Sequence, residues 1–538
     1  KTLDRSDVII VGAGLAGITT ALELIAQGKS VLLLERDHLD AIGGLAKESF
    51  GGITMIGTPH QRRMNIPDSP DLAYRDWESF AEFEPSDEWP RKWARFYCDH
   101  SLEHIFHYLS GHGVRFLPVV NWPERGLFQP GNSVPRWHIT WGTGSEIIAR
   151  LLAAVDSHPR KSRLRILCQH AVSTLETDQG KVVGVSGTDL ADGHEFRALA
   201  DQVVIAAGGI CGGDLSKVRE NWYPDWGPPP KHLLNGSHRF ADGLLLSPVQ
   251  AAGGVVTHLD KQWHYAAGIH HPAQRKAHDG LSLLPPRSAL WLNAQGKRIG
   301  PMPLVGYTDT RHLVESILRE PGQYSWLVMN WKIAIKELAA SGGDYMTAFR
   351  DKSKLRVLGQ LLFGNRELVH RLIRECPEDI VVAHSLPELT EKMKSKSLEG
   401  ISVSANEVKN AIESYDSQID RGPTFVTDDQ LRRIMASRQY RGDRMRLCKY
   451  QKIVDAKAMP LIAIRNFILS RKSLGGIQTD LSCRVLNRTG SPVPGLFAVG
   501  EAAGFGGGGI HGKRSLEGTF LGACVLTGRI AGKAISEG

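Results

Sequence analysis

The feature that most constrains the fold is a glycine-rich turn near the start of the chain. The stretch VIIVGAGLAG opens with an apolar run, Val8–Val11, long enough for one buried parallel strand. Three glycines follow with the spacing G-x-G-x-x-G: Gly12, Gly14 and Gly17. A helix is predicted over Leu15–Gln27. In such a turn the first glycine permits the bend, the second lets a pyrophosphate approach the backbone, and the third lets the helix pack closely on the strand.

A second apolar run, Ser30–Leu34, follows this helix and leads into Glu35. Glu35 lies 18 residues after Gly17, close to the roughly 20 expected of a carboxylate that binds a ribose. The free N–H groups and the positive dipole at the helix start favour a bound phosphate. Together these features predict a dinucleotide site without a 2′-phosphate, and they leave NAD and FAD both open.

The composition is that of a globular protein with no extreme charge. The chain has 538 residues, 42% hydrophobic and 23% charged, which is enough for two or three domains. No apolar run reaches the ~18 residues of a membrane span. The net charge of +8 comes from scattered residues without a continuous basic block. We therefore expect a solvated surface, no nucleic-acid partner and no membrane span.

The cysteines point to a reduced compartment and to no second redox centre. There are seven, an odd number, and they lie far apart: Cys98, Cys168, Cys211, Cys376, Cys448, Cys483 and Cys524. The sequence contains no C-x-x-C pair, iron–sulfur run or C-x-x-C-H haem motif. We expect buried thiols in a cytoplasmic protein.

The distribution of glycine divides the chain into three parts. Both ends are glycine-rich, whereas residues 256–455 contain amphipathic charged segments such as Tyr324–Ala340 and Val408–Ile419. We predict a nucleotide domain over 1–255 and 456–538, with a mixed, partly helical domain inserted over 256–455.

Within the first part, three segments carry definite expectations. Residues 165–209 alternate in polarity and predict strands, with turns near Asp178 and Asp192. The Gly, Ala and Ser of residues 41–53 predict a loop. Residues 137–155 predict a loop that enters a helix capped by Ser145.

Seven blocks in one order along the chain resemble the FAD-dependent fumarate reductase and succinate dehydrogenase flavoprotein superfamily, which includes aspartate oxidase and the ketosteroid dehydrogenases. They are Gly12–Glu35, Gly43–Gly52, Ala206–Gly209, Ala241–Gly243, Leu292–Arg298, Gly475–Asp480 and Gly495–Glu501. The resemblance covers most of the chain. Within the superfamily, the sequence looks most like bacterial FAD-binding dehydrogenases of undefined substrate. It implies FAD and an α/β fold: a Rossmann-like FAD-binding domain built from both chain ends, with an inserted α+β cap (substrate) domain.

The resemblance also implies which residues bind FAD. The pyrophosphate is expected at Gly12, Gly14, Leu15 and Ala16, and the adenosine ribose at Glu35. The chain passing under the flavin comprises Gly43, Gly44, Leu45, Ala46, Ser49, Gly51 and Gly52. The adenine region involves Val172, Ala206, Ala207 and Gly208, the ribitol Glu501, and the pyrimidine edge Gly518, Thr519 and Phe520. Arg36, Asp242 and Gly500 complete the cofactor set. Some members bind FAD covalently through a histidine, and Leu45 occupies that position here, so non-covalent FAD is expected.

In this family a hydride passes between flavin N5 and a substrate carbon, while a side chain moves a proton at the neighbouring carbon. The net reaction makes or removes a double bond beside an electron-withdrawing group. In the reductases the proton donor is an arginine in a T-R-x-x-x-S pattern, which Thr310–Ser316 matches. Arg311 is therefore expected to handle the proton or to anchor the substrate. Arginine is normally always charged, and this favours anchoring unless its cation is destabilised.

The family's last substrate motif, H-G-x-N-R-L-G-G-N, matches only in part. His511 fits and is expected to hydrogen-bond a substrate oxygen, but Ser515 occupies the place of the carboxylate-clamping arginine, with Arg514 beside it. Glu517 replaces a glycine. Both changes argue against a dicarboxylate such as fumarate. His264 and Tyr307 are weaker catalytic candidates, the latter because ketosteroid dehydrogenases use tyrosines to remove a proton.

The sequence has no second dinucleotide motif, so the electrons are expected to come from, or go to, an external donor or acceptor. The main expectation is an FAD-dependent oxidoreductase that dehydrogenates or reduces a carbon–carbon bond beside a carbonyl or carboxylate of a small molecule. Two alternatives stay open: a 3-ketosteroid-type dehydrogenase of a bulky ketone, which the twelve tryptophans suit, and an electron-transfer subunit of a complex. A third alternative is a degenerate member of the family that binds FAD but catalyses no reaction.

Overall fold

The computed structural model describes residues 1–538. The strands are β1 Ser6–Val11, β2 Val31–Leu34, β3 Gly52–Thr54, β4 Trp137–Ile139, β5 Leu164–Leu167, β6 His170–Asp178, β7 Lys181–Asp189, β8 Glu195–Ile205, β9 Leu234–Asn235, β10 Val256–Thr257, β11 Gln262–His270, β12 Gly280–Leu284, β13 Leu290–Asn293, β14 Tyr324–Asn330, β15 Ala339–Ala340, β16 Ile380–Ala383, β17 Leu461–Ser473, β18 Gly476–Ile477, β19 Arg484–Leu486 and β20 Pro492–Ala498.

The α-helices are α1 Leu15–Ala26, α2 Gly44–Glu48, α3 Pro59–Arg63, α4 Pro70–Ala81, α5 Glu88–Ser101, α6 Tyr108–Gly111, α7 Thr143–Ser157, α8 Ser216–Glu220, α9 Leu246–Ala251, α10 Thr310–Leu318, α11 Trp331–Glu337, α12 Thr347–Arg350, α13 Lys354–Phe363, α14 Arg366–Glu375, α15 Leu386–Ser395, α16 Ala405–Asp420, α17 Asp429–Ser437, α18 Arg441–Arg444 and α19 Thr519–Glu537. A π-helical segment, Leu102–His107, joins α5 to α6.

The chain divides into two compact units. The first comprises residues 1–223, 237–263 and 471–538, and the second comprises 224–236 and 264–470. The sequence placed the inserted part at 256–455. Residues 224–236 join the second unit because β9 within them pairs with β17, Leu234 lying opposite Leu469.

The first unit is built on a sheet with the order β19-β20-β8-β1-β2-β5. Its centre is parallel: Val8 pairs with Val31 on one side, and Ile9 pairs with Val203 on the other. All four residues of β2 are buried, as expected of a strand covered on both faces. β7 and β6 extend from β8 as an antiparallel ribbon, which confirms the alternating strands predicted over 165–209.

The two chain ends meet in this unit through helix packing. α19, near the C-terminus, lies against α1, near the N-terminus. Their backbones approach so closely that a Cβ on Gly528 would lie 2.7 Å from the carbonyl oxygen of Ala16. A domain built from both chain ends is therefore confirmed.

The second unit is organised around the long strand β17. Its sheet has the order β13-β14-β17-β11-β12-β15, and β16 and β9 also pair with β17. Helices α10 to α18 belong to this unit. The segment Tyr324–Ala340, expected to be amphipathic, begins as the fully buried strand β14, because β14 lies between β13 and β17.

Two local predictions are wrong. The N-cap of α7 is Gly142, with φ +100°, and Ser145 lies inside the helix. A glycine takes this left-handed conformation without the steric cost that a side chain would bring. Residues 41–53 are not all loop, because Gly44–Glu48 form a short helix, α2. None of the helices combines the length and the apolar character that crossing a bilayer requires.

Candidate active site

The glycine turn of the first unit has the geometry of a phosphate cradle. Gly12 has φ +110°, and a Cβ there would lie 2.3 Å from the carbonyl oxygen of Ala206. Gly14 begins α1 with extended backbone, and no atom lies within 4 Å of where its Cβ would be. The close approach at Gly12 explains the first glycine, and the open space at Gly14 fits a pyrophosphate against the backbone.

Glu35 is held beside this turn by backbone hydrogen bonds. Ala13 N–H donates to Oε2 at 2.7 Å, and Asp37 N–H donates to Oε1 at 2.8 Å. One donor belongs to the glycine turn itself, so the carboxylate and the cradle form one rigid arrangement. Each oxygen keeps lone-pair capacity for a ribose hydroxyl.

The segment expected under the flavin has no nucleophilic side chain at position 45, where some members of the family carry the histidine that binds FAD covalently. Gly44, Leu45, Ala46 and Ser49 are only partly buried, and Ser49 Oγ donates to the Ala46 carbonyl at 2.7 Å. Leu45 presents a hydrocarbon side chain, which cannot attack a flavin. Gly51 and Gly52 follow, and Gly52 pairs with Ile139 in the β3–β4 ribbon. Non-covalent FAD remains a prediction that this side chain supports.

Other expected cofactor residues contact one another. Arg36 Nη1 donates to Asp242 Oδ2 at 2.7 Å, and its guanidinium lies 4.3 Å from the ring centre of Phe240. Ala206 closes on Gly12, whereas the Cβ position of Gly208 is open. Val172 is buried in the core of the first unit, so only its backbone is available to a ligand.

His511 lies in a buried aromatic cluster near the start of α19. Its ring is stacked on Trp77 at 5.7 Å with an interplanar angle of 10°, and Phe505 and Phe520 lie at 5.3 and 4.9 Å. Nε2 is 2.6 Å from Thr519 Oγ1. Burial and the nearby Lys472 lower the pKa of His511 to about 3. The imidazole is therefore neutral at ordinary pH.

The second ring nitrogen of His511 is a buried polar atom without a partner. Nδ1 makes no hydrogen bond in the protein, and the side chain is fully buried. Because an unsatisfied buried polar group is costly, this atom indicates that a ligand group belongs beside it. It is the second feature, after the open cradle at Gly14, that fits FAD and substrate in this unit.

Lys472 is the cation of this cluster, and sequence reasoning missed it. Its ammonium lies 4.9 Å from the ring centre of Phe520, a residue expected at the flavin pyrimidine edge. Burial and the charge of Arg471 lower the pKa of Lys472 to about 8, against the opposing effect of Glu501 and Glu517. Glu501 accepts a hydrogen bond from Ser473 N–H at 2.8 Å, and burial raises its pKa. A lysine ending the apolar run of β17 was the available signal.

The motif that departs from the family pattern offers no arginine to a carboxylate. Ser515 is fully buried, and its hydroxyl lies 2.8 Å from Thr519 Oγ1. Arg514 forms an ion pair with Glu82. Glu517 accepts a hydrogen bond from the Trp263 indole at 3.2 Å. The cation beside Ser515 is thus already neutralised, and an acid lies close to it in sequence.

In the second unit, Arg311 and His264 belong to one buried cluster. Arg311, on the first turn of α10, is 4% exposed, and His264, on β11, is 2% exposed. Both contact Trp226: the guanidinium lies 4.7 Å from one of its ring centres, and the imidazole lies 5.8 Å away. Burial and the charge of Arg311 lower the pKa of His264 to about 3.

Glu315 forms an ion pair with Arg311. Arg311 Nε donates to Glu315 Oε1 at 2.9 Å, and the Trp226 indole donates to the same oxygen at 3.1 Å. A carboxylate at this distance stabilises the guanidinium cation. The arrangement suits a fixed positive anchor better than a proton donor. Trp226 and Glu315 could not be identified from the sequence, because only the tertiary fold brings them to Arg311.

Tyr307 belongs to the same unit as this cluster. It is half-buried with φ +66°, and the guanidinium of Arg287 lies 5.8 Å from its ring centre. A tyrosine with a left-handed backbone conformation is uncommon and strained. The surrounding fold must therefore hold the backbone at this position.

Comparison with known proteins agrees with these features. The FAD binding domain family matches residues 7–521. A KsdD-like steroid dehydrogenase of Mycobacterium tuberculosis is 39% identical, over 99% of this chain and 96% of the relative. A fumarate reductase of Schizosaccharomyces pombe is 25% identical, over 100% of this chain and 90% of the relative.

A solved structure supports the fold. The 3-ketosteroid Δ1-dehydrogenase from Sterolibacterium denitrificans, in complex with 1,4-androstadiene-3,17-dione, has a TM-score of 0.72 at 16% identity, covering 99% of this chain and 100% of that one. The solved structure confirms the expected α/β flavoprotein fold, and the family match with the 39% identical relative confirms the FAD cofactor and the oxidoreductase class acting on CH–CH groups. The chain belongs to the FAD binding domain family of flavoproteins that contains fumarate reductases and KsdD-like steroid dehydrogenases.

Proposed function

We propose that the protein dehydrogenates or reduces the carbon–carbon bond next to the carbonyl of a bulky apolar ketone, of the 3-ketosteroid type. The observation that carries this proposal is the substrate motif at His511–Thr519. Ser515 replaces the expected arginine, and the adjacent Arg514 is paired with Glu82. A dicarboxylate needs a cation for each of its two carboxylates and would meet no free guanidinium in this motif, whereas a ketone presents an uncharged oxygen. The 39% identity to a KsdD-like steroid dehydrogenase supports the same class.

FAD, when bound, accepts or supplies the hydride. The cradle at Gly12 and Gly14 and the carboxylate of Glu35 would hold its dinucleotide part, and Thr519 and Phe520 would lie at its pyrimidine edge. Lys472, above the ring of Phe520, would stabilise negative charge at that edge while it is protonated. These residues would bind and orient the cofactor.

Substrate contacts are assigned to three residues. His511 offers Nδ1 of a neutral imidazole as a hydrogen-bonding group for a substrate oxygen, without adding charge. Arg311 supplies a permanent positive charge, because a guanidinium stays protonated in proteins, and Glu315 holds it in place. It would anchor the ketone oxygen and stabilise the negative charge that develops there when a proton leaves the neighbouring carbon. Tyr307 is the candidate that takes this proton, and His264 positions Arg311 through Trp226.

The electron partner is proposed to be external. No second dinucleotide motif occurs in the sequence, and no iron–sulfur or haem motif accompanies the flavin site. A diffusible acceptor or a separate protein would therefore close the catalytic cycle. We place the protein in the cytoplasm, since its seven cysteines are all free thiols.

Steady-state turnover with an artificial electron acceptor tests the substrate class. The purified FAD-loaded protein should oxidise 4-androstene-3,17-dione and leave succinate unchanged. Ser515→Arg should depress ketone turnover without creating turnover of succinate unless Glu517→Gly is added, because the acid opposes the new clamp. Turnover of succinate by the wild type, with no turnover of the ketone, would overturn the proposal.

A further inference from the structure

One helix of the second unit exposes its apolar side chains to solvent. None of the ten residues of α13 is buried. Its sequence, KLRVLGQLLF, presents five large hydrophobic residues with these exposed fractions: Leu355 84%, Leu358 52%, Leu361 39%, Leu362 63% and Phe363 71%. Thirteen large hydrophobic residues are exposed in the whole chain, so this one helix holds five of them. Such concentration marks an interaction surface, unlike single exposed leucines.

The helix is turned with its apolar face outward. At 100° per residue, Leu355, Leu358 and Leu362 fall on one side. Arg356 points away from them, because Nη2 donates to Thr347 Oγ1 at 2.7 Å and to Glu367 Oε2 at 2.9 Å. The helix thus holds its arginine against the protein and exposes its leucines to solvent, an arrangement that favours contact with an apolar partner. We call this exposed set (355, 358, 361, 362 and 363) the leucine face.

Positive charge surrounds the leucine face. Residues 344–375 contain seven cations and four acids, Asp344, Asp351, Glu367 and Glu375, a net charge of +3 within a chain whose total is +8. The acids pair with Arg350, Arg356, Arg371 and Arg374. The cations are Arg350, Lys352, Lys354, Arg356, Arg366, Arg371 and Arg374. Lys354 begins α13, and Arg366 begins α14, three residues beyond the end of α13. Both are exposed, and neither forms an ion pair. On the neighbouring helix α11, Lys332 and Lys336 are also exposed.

We infer that the leucine face docks this protein on an anionic lipid surface. An interfacial helix combines an apolar face that enters the headgroup region with lysines and arginines that face acidic lipids. A second copy of the chain is disfavoured as the occupant, because a two-fold contact would place two segments of net charge +3 against each other. The inference does not depend on the identity of the substrate. Docking on such a surface would give the enzyme access to apolar molecules that partition into bilayers.

Vesicle co-sedimentation of the full FAD-loaded chain tests the inference. Phosphatidylglycerol–phosphatidylcholine vesicles should bind the protein, and pure phosphatidylcholine should bind it much more weakly. Lys354→Gln with Arg366→Gln should weaken binding to the acidic vesicles by about 25-fold, at about fivefold for each charge removed. Raising the ionic strength from about 0.1 M to about 1 M shortens the Debye length from about 10 Å to about 3 Å and should have a similar effect.

The leucine face itself is tested by Leu358→Gln, Leu362→Gln and Phe363→Gln together. This variant should lose at least tenfold in affinity for acidic vesicles and keep wild-type turnover of a water-dissolved substrate, because all three side chains are exposed. The matched control is Phe425→Gln with Lys394→Gln, a single exposed apolar residue and an exposed lysine of the same unit. It should bind as the wild type does.

Three outcomes would overturn the inference. The wild type could show no preference for acidic vesicles, or the triple variant could bind as tightly as the control. A wild-type dimer in sedimentation equilibrium that the triple variant dissociates, without any vesicle binding, would assign the leucine face to a second copy instead.

Discussion

Each unit of the molecule places a buried histidine beside a cation, but the cations differ in chemistry. In the first unit His511 lies near Lys472, and in the second His264 lies near Arg311. Both histidines have a pKa lowered to about 3 by burial and by that cation. The pKa of Lys472 is lowered to about 8, whereas Arg311 is bonded to Glu315 at 2.9 Å. One cluster can therefore lose its positive charge within an accessible pH range, and the other cannot.

The difference suggests a division of tasks. An adjustable charge suits a site where electrons arrive and leave, because the protonation of Lys472 alters the stability of negative charge nearby. A fixed charge suits a site that holds an oxygen through the whole reaction. The following predictions test whether this division is correct, beginning with the largest expected effect.

Arg311→Ala should lower kcat/KM for the ketone by about 10²–10³-fold, the loss typical of removing one donor to a developing oxyanion. Arg311→Lys should recover part of the activity, because it restores charge without the planar contact to Trp226. Steady-state kinetics measures both. Arg319→Ala, at the exposed end of the same helix, is the control. Equal activities of Arg311→Ala and this control would remove Arg311 from the chemistry.

Glu35→Ala should weaken FAD binding by about 10- to 100-fold, since hydrogen bonds to a charged group contribute about 1.5–3 kcal/mol. Fluorescence titration of the apoprotein with FAD gives the affinity. Arg311→Ala should leave FAD affinity unchanged in the same titration. A reversed pattern, with FAD lost only in the second-unit variant, would contradict the assignment of the cofactor to the first unit.

The parts predicted from the sequence were those with local signals. The strand–turn–helix at Val8–Ala26 and the role of Glu35 could be predicted from residue spacing, because all the residues of this motif lie close together in the sequence. The ribbon over 170–205 follows from alternation. The clusters were not predictable, because Lys472 meets Phe520 and Arg311 meets Trp226 across long stretches of chain. Likewise, the sequence of β14 predicts an amphipathic segment, and it is fully buried only because it lies between β13 and β17.

Lys472→Met should lower the midpoint potential of bound FAD by about 30 mV, equivalent to about 1.4 kcal/mol or tenfold for a two-electron couple. In the wild type the potential should show a break near pH 8: below it the lysine is charged and favours reduced flavin, and above it this stabilisation is lost. The variant should lack the break. Spectroelectrochemistry across pH 6.5 to 9.5, on either side of the pKa of about 8, measures both. Identical pH profiles would exclude the lysine from this role.

A further effect is expected on acid stability. The pKa of His264 is about 3 in the folded protein and near 6.5 when unfolded, so between these values the unfolded chain binds more protons. Stability therefore falls as the pH drops below about 6.5, by about 2 kcal/mol at pH 5 from this one group. His264→Gln should unfold with a smaller difference between pH 7 and pH 5. An unchanged difference would show that His264 is not buried as described.

The most direct test of the central claim is an anaerobic spectrum of the FAD-loaded protein mixed with one equivalent of a ketone or of a dicarboxylate. We predict that 4-androstene-3,17-dione bleaches the visible flavin band of the oxidised protein, or that 1,4-androstadiene-3,17-dione restores it in the reduced protein, while succinate and fumarate change neither. A flavin that responds to fumarate or succinate and ignores both ketones would contradict it.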